Sequence, residues 1–385
     1  PTSDSLHLGS MVPIMGLAWF QRCGHTPVAL AGGATGMIGD PSGKAAERKL
    51  LDAETIEKNL KGIGKNLSQI LNQNESPALF VNNYDWFKDF SFIDFLRDVG
   101  KNFRIGSMLA KESVKLRLNS EEGMSFTEFC YQALQGYDFL HLYENMGVSI
   151  QLGGSDQWGN ITAGTDLIRK VHGKQAFGIT FPLMTRSDGQ KFGKSEKGAI
   201  WLSEEKLSPY EFYQYLVRVP DADVIRLMSL LTFMEMDEIR RYEKMMLLPD
   251  YIPNTAQKRL AEEVTLLVHG DAKLKAAMDA TETIKPGAKT VLNAEILENI
   301  ASDIPSQEFD QSKIEGTKLV DLLAETSLVS SKGEGRRLLQ NGGVYLNNER
   351  IEDEQYVISK KDLINERLML LAAGKKNKLL VRVKN

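Results

Sequence analysis

Three polar side chains on an otherwise apolar stretch have the types and spacing to recognise a small polar ligand. Tyr131, Gln135 and Asp138 fall at i, i+4 and i+7. A helix over 125–143 puts all three on one face. Their neighbours include Phe129, Leu134, Phe139 and Leu140. A polar stripe in such company costs stability unless its partners are met. A polar ligand meets them, and so does water. A second group lies in Pro1–Ser10, where hydroxyl and acidic capping residues open a helix at His7 and Gly9. A helix N-terminus carries free N–H groups and partial positive charge, which suits an anion. Thr2 and His7 stand beside it, and Gly9 lets a flat base or a ribose approach the backbone. The same decapeptide also fits an ordinary capped helix. A third group is the polar, glycine-bearing loop Ser187–Ser195, with Lys191 and Lys194 three apart. Two lysines on such a loop suit transient charge stabilisation of a transferring phosphate. A solvated loop has the same composition.

The elements that must position these residues are short apolar runs feeding glycine-rich bends. The run 27–31 reads as a buried strand and ends in Gly32–Lys44, with Thr35 and Asp40 as polar groups at the bend. Lys44 and Arg48 follow, where they can face phosphates. The loop is not a P-loop: Ile38 stands where the first glycine belongs, and Ala45 replaces the hydroxyl residue after the lysine. It also lacks the Gly-x-Gly of a dinucleotide fingerprint. A purely structural turn remains the alternative. A second junction repeats the theme. The strand 149–154 runs into Gln151–Asn160, which sets Gly154, Asp156 and Gln157 at a helix N-terminus, suited to ribose hydroxyls and to amide or carboxylate groups. Two such junctions in one sheet are expected where ligands bind across a topological switch point.

Around them the spacing predicts helices over 8–23, 52–73, 90–99 and 107–118, and strands over 78–82 and 177–184. Gly24 is placed as a C-cap. Ser125-Phe126-Thr127-Glu128 reads as a capping box. From Ser208 the alternation stops, and 209–218, 222–231, 235–248 and 254–269 read as helices of an all-α module. The stretch 281–315 reads as a linker with short helices. A small α-plus-β module closes the chain. There Arg336, Arg337, Lys375, Lys376 and Lys378 form a candidate phosphate-facing edge, with a solvated tail as the alternative.

Composition narrows the classes. The net charge of -4 over 385 residues argues against indiscriminate nucleic-acid binding. It hides an asymmetry: residues 316–385 hold 13 Lys/Arg against 9 Asp/Glu, and the rest holds 34 against 42. A basic module on an acidic body hints at RNA contact. Cys23 and Cys130 sit in apolar helical patterns and read as buried free thiols of a reducing compartment. No apolar run approaches the roughly 18 residues of a membrane span. No His/Cys cluster has metal-ligand spacing.

With these pieces in order, the chain resembles bacterial-type tyrosyl-tRNA synthetases. Ser5-Leu6-His7-Leu8-Gly9-Ser10 resembles the HIGH motif of class I synthetases, and Lys191-Phe192-Gly193-Lys194-Ser195 the KMSKS motif. Gly32–Lys44 is similar to the family's glycine-rich loop, and 129–138 with 151–160 to its tyrosine and adenylate sites. The resemblance covers essentially the whole chain. It implies an α/β fold: a Rossmann-like parallel-sheet catalytic domain over 1–205 and an all-α anticodon-recognition domain over 206–280. A linker over 281–315 and a small α+β RNA-binding domain over 316–385 follow, the last of the αL type shared with a ribosomal protein and pseudouridine synthases.

The resemblance also implies a two-step reaction. Tyrosine and ATP, with Mg2+, give tyrosyl-adenylate and pyrophosphate; the tyrosyl group then moves to the 3′ end of tRNA(Tyr). Asp138 would accept the phenol hydrogen bond, and Tyr131, Gln135 and Asp40 would hold the ammonium. Gln151 joins the tyrosine site. Gly9, Gly154, Asp156 and Gln157 would bind the adenylate and the reacting carboxyl region. Thr2, His7, Ser10, Lys191, Lys194 and Ser195 would stabilise the phosphorus and the departing pyrophosphate. Lys44 and Arg48 would assist there or touch the acceptor stem, and Arg336 and Arg337 the RNA. The attacking carboxylate is already ionised, so no general base is needed, and catalysis is positioning plus charge stabilisation. Phenylalanine would leave Asp138 unpaired, an argument for which tyrosyl-tRNA synthetase is itself a standard illustration.

Two departures stand out. Ser10 occupies the place of the motif's second His or Asn, and the family's first catalytic strand would lie upstream of Pro1, so the chain reads as N-terminally truncated. The resemblance further implies a homodimer in the cytoplasm, or in an organelle if a presequence is lost. Competing readings are a tryptophan–tRNA ligase and a catalytically impaired, synthetase-derived RNA-binding protein.

Overall fold

The structure, a computed structural model, describes residues 3–42, 51–71, 77–121, 123–187, 189, 192–195, 198–288, 292–301, 304–326, 328–374 and 377–384. The chain divides into two compact units: residues 1–203 with 220–256, and residues 204–219 with 257–385. This division runs through the stretch 206–280, which the sequence presents as one helical module.

The first unit is built on parallel strand pairs. Strand β1 (Val28–Ala31) pairs in parallel with β2 (Leu79–Asn82), and β3 (Ile150–Gly154) with β4 (Phe177–Phe181). Parallel partners need a crossover, and helices provide it. Helices α2 (Gly33–Ile38) and α3 (Ala53–Leu71) lie between β1 and β2 in the chain, while α5 (Trp158–His172) lies between β3 and β4. Helix α1 (Met11–Arg22) follows a short 3-10 turn at Leu8–Ser10, and Gly24 at φ 89° ends it.

The long helix α4 (Phe126–Met146) packs closely on α5. Gly164 permits that approach, because a Cβ there would stand 2.7 Å from the Cβ of Phe139. Phe139, Leu140, Leu167 and Ile168 form the buried seam. The capping box of α4 is only half used: Ser125 Oγ accepts from the Glu128 N–H at 3.2 Å, while the Glu128 carboxylate goes to Arg117 at 2.6 Å. The helix expected over 107–118 is two pieces, Ile105–Leu109 and Glu112–Leu118. Strand β4 stops at Phe181, short of the expected Met184. Cys23 is exposed and Cys130 half-buried, not buried as the pattern suggests, since α1 ends at Arg22 and Cys23 lies past its apolar face. Helix α6 (Asp221–Leu231) also belongs to this unit.

The second unit holds a five-stranded sheet in the order β7-β11-β10-β8-β9. Its strands are β7 (Ser306–Asp310), β8 (Val344–Leu346), β9 (Glu349–Ile351), β10 (Leu368–Ala373) and β11 (Asn377–Lys384). Every residue of β10, the central strand, is buried. Strand β7 corrects the linker expectation for 281–315, because it pairs in parallel with β11 along the sheet edge. Its sequence, Ser-Gln-Glu-Phe-Asp, buries only Phe309, so it shows no strand periodicity. A helix over Asp271–Thr283 also extends past the expected end of the helical stretch. Among the described residues no helix is long and apolar enough to cross a membrane.

Candidate active site

A cavity of about 610 Å3 opens between β1 and β3, and one face of α4 supplies part of its wall. Tyr131, Gln135 and Asp138 all line it, so the polar stripe faces this space. Asp138 is 1 % exposed. The Trp86 indole N–H donates to one carboxylate oxygen at 2.9 Å, and Asn83 Nδ2 donates to the other at 3.1 Å. Burial pushes the carboxyl up to about 7, and the two donors pull the other way. A carboxylate oxygen accepts more than one hydrogen bond, so each keeps capacity for a ligand donor. Gln151 lines the same cavity, and its Oε1 is buried with no hydrogen-bond partner among the described residues. A buried acceptor in that condition is met by a ligand or by water.

The C-terminal ends of the strands place these groups. Asn82 and Asn83, leaving β2, accept the Gly33 and Ala34 N–H groups at 3.1 and 2.8 Å, which caps α2. Asn83 also donates to Thr35 Oγ1 at 2.9 Å. One asparagine therefore joins the glycine-rich bend to Asp138. At the start of α5, Gln157 Nε2 donates to Asp40 at 2.7 Å and to Asp156 at 3.1 Å. Asn160 Nδ2 donates to Gln135 at 3.0 Å, and Ser42 N donates to Asp40 at 2.9 Å. The structure thus brings Asp40, Gln135, Asp156 and Gln157 into one network. Such a set of oriented acceptors suits an ammonium group and hydroxyls.

The two motif loops meet backbone to backbone. Strand β5 (Lys194–Ser195) pairs antiparallel with β6 (Gly198–Ala199). The chain then returns beside the opening loop. Leu8 N donates to the Ile200 carbonyl at 2.7 Å, and Leu202 N to the Leu6 carbonyl at 2.9 Å. The His7 and Trp201 rings meet edge to face, 6.4 Å between centroids. Gly193 has φ 80°, and a Cβ on it would stand 2.6 Å from the Gly9 nitrogen. Asn66 on α3 fixes the other side, accepting from Leu6 N at 2.9 Å and from Ser5 Oγ at 3.2 Å. Ser10 Oγ lies 3.5 Å from His7 Nδ1.

His7, Gly9 and Ser10 do not line the cavity, and neither do Gly154 and Asp156. Thr2, Lys44, Arg48 and Lys191 lie outside the described residues, as do Lys375 and Lys376. Of Lys194 and Ser195 the backbone alone is described. Arg336 and Arg337 are exposed on helix α7 (Lys332–Gln340) of the second unit. Lys378 on β11 is half-buried, and burial pulls its ammonium down to about 8. Sequence reasoning missed Asn83, Trp86, Asn160 and Asn66. A signal existed for the first two, since they directly follow β2 at the strand end where such sheets bind ligands.

The family described as tRNA synthetases class I (W and Y) matches residues 1–284, which sets the fold in class I of the aminoacyl-tRNA synthetases. The tyrosine–tRNA ligase SYY-like C-terminal domain matches residues 295–381. The tyrosine–tRNA ligase of Protochlamydia amoebophila (strain UWE25) is 69% identical over 385 residues, covering 100% of this chain and 91% of its own length. The chloroplastic/mitochondrial tyrosine–tRNA ligase of Arabidopsis thaliana is 55% identical, covering 100% of this chain and 76% of its own. Among solved structures, a C-terminally truncated mitochondrial tyrosyl-tRNA synthetase of Aspergillus nidulans superposes with a TM-score of 0.62 at 31% identity, covering 72% of this chain and 82% of that one. The chain belongs to the tyrosine–tRNA ligase family.

Proposed function

We propose that the protein activates L-tyrosine with ATP to tyrosyl-adenylate and pyrophosphate, and then transfers the tyrosyl group to tRNA(Tyr). The observation that carries this reading is Asp138, a buried carboxylate oriented by Trp86 and Asn83 at the wall of a cavity. A phenol hydroxyl donates to such an acceptor; a phenyl ring leaves it buried and unpaired, which is costly. The C-terminal match is to a tyrosine-type domain, which supports tyrosine over tryptophan within the class.

In this reading Tyr131, Gln135 and Asp40 hold the substrate ammonium, with Gln151 beside them. Asp156, Gln157 and the Gly154 backbone hold the adenylate ribose and carboxyl region. The tyrosine carboxylate attacks the α-phosphorus of ATP, and pyrophosphate leaves. His7, Thr2, Ser10 and Gly9 from one loop and Lys191, Lys194 and Ser195 from the other stabilise the charge that builds on the phosphorus and the departing group. Their contact through Gly9 and Gly193 supports a shared site. ATP enters with Mg2+. Lys44 and Arg48 serve pyrophosphate or the acceptor stem. Residues 206–280 serve anticodon recognition, and the second unit's sheet module, with Arg336 and Arg337, serves RNA phosphates. The protein acts as a homodimer in the cytoplasm or an organelle.

Tyrosine-dependent ATP–pyrophosphate exchange by the full-length protein tests the reading. Exchange that requires tyrosine and is not supported by tryptophan is the expected result. Absence of exchange refutes it.

A further inference from the structure

Helix α6 reaches the base of the lysine-bearing loop, and a buried acid makes one of the contacts. Asp223, in its first turn, is 2 % exposed. Its carboxylate accepts from Ser187 N at 3.0 and 3.1 Å and from Ser187 Oγ at 3.0 Å. One turn on, Arg226 donates to the Thr185 carbonyl and stands 3.6 Å from Asp223. Thr185 and Ser187 are the near base of the lysine-bearing loop. Phe192 N donates to the Met184 carbonyl at 3.0 Å, which ties that loop back to the chain entering it. Next along the loop comes Gly193, against Gly9. Past the other end of α6, Phe233 packs edge to face on Trp19 of α1 at 5.1 Å, with the Arg22 guanidinium over its ring at 4.4 Å. The helix therefore braces the base of one motif loop against the helix that the other motif opens.

A buried carboxylate is expensive unless its oxygens are satisfied. Among the described residues its hydrogen-bond donors are both on Ser187, at the entry to the loop, with the Arg226 guanidinium nearby. Charge stabilisation by a lysine depends on where its loop starts, because misplacing a charged group by about 1 Å already costs rate. We propose that Asp223 is a positioning residue for adenylate formation, fixing through Ser187 the base of the loop that carries Lys191 and Lys194. This rests on the role of those lysines given above. Asp223 itself touches no substrate.

The test is single-turnover adenylate formation in Asp223→Asn and Ser187→Ala, each alone and combined with Lys194→Ala, with tyrosine affinity measured in parallel. Asp223→Asn is expected to slow adenylate formation about 10-fold or more, and Ser187→Ala about 3-fold or more, with tyrosine Kd changed less than about 2-fold. In the Lys194→Ala background either change is expected to add less than about 2-fold, since groups acting through one loop are not additive. Full multiplication of the two effects overturns the proposal, as does an equal loss of tyrosine affinity or an unchanged rate. If Lys194→Ala alone leaves the rate unaltered, the loop reading fails and the proposal falls with it. A Lys194→Ala defect with multiplying effects overturns the Asp223 role alone. Circular dichroism melts check folding. If Asp223→Asn does not fold, Ser187→Ala carries the same comparison.

Discussion

The Trp86 indole N–H donates to the Asp138 carboxylate at 2.9 Å, across 52 residues of chain. That bond aims the acid at the cavity and stabilises its charged form. Replacing Trp86 with Phe keeps most of the ring volume and removes the donor. Hydrogen bonds to charged groups contribute about 1.5–3 kcal/mol, so tyrosine kcat/KM is expected to fall roughly 10-fold or more. Selectivity over phenylalanine is expected to fall with it. Pyrophosphate exchange with each amino acid measures both.

Burial pushes the Asp138 carboxyl up to about 7 from its ordinary 3.8. A phenol that donates to it favours the ionised form, so tyrosine affinity rises with pH through about 7 and is lost below it. Kd is expected to rise about 10-fold from about pH 8 to about pH 6, as the ionised fraction falls. Asp138→Asn removes that slope. The unliganded fold behaves oppositely. Its native state binds the proton more tightly than the unfolded chain, so stability falls as pH rises from about 4 to about 7. Urea midpoints against pH, in both proteins, check the sign.

Gly193 is constrained twice, by its φ of 80° and by the Gly9 nitrogen 2.6 Å from where a Cβ would stand. Gly193→Ala forces the two motif loops apart. Strain of this kind costs about 1–3 kcal/mol, so adenylate formation is expected to slow about 10-fold or more. Tyrosine binding, in a cavity that Gly193 does not line, is expected to hold. Rapid-quench kinetics and equilibrium dialysis separate the two.

Arg117 and Glu128 form an ion pair at 2.6 Å, with side chains 2% and 1% exposed. Arg117→Met strands a buried carboxylate in the first turn of α4. Breaking such a pair costs about 3–5 kcal/mol, whereas replacing both partners with apolar residues is often neutral. Urea denaturation of the single variant and of Arg117→Met/Glu128→Leu is expected to show a large loss in the first and recovery in the second.

Much of the site was legible because its signals are local. The strands at 27–31, 78–82 and 149–154 are short apolar runs closed by polar bends, and the stripe on α4 is a matter of helical spacing. Its orientation was not legible, since the same stripe fits a water-facing helix. What turns it inward is the partnership of Asp138 with Asn83 and Trp86, more than 50 residues away, which no local period encodes. The Asp223–Ser187 contact escaped for the same reason. Strand β7 escaped for another: a sheet edge needs only one buried side chain, so its sequence looks like a linker.

The central claim is that the cavity beside Asp138 selects tyrosine by its hydroxyl. Calorimetric titration of the full-length protein with tyrosine and with phenylalanine tests it most directly. Tyrosine is expected to bind at least about 100-fold more tightly, the span of about 3 kcal/mol for an unpaired buried acceptor. Equal affinities for the two amino acids contradict it.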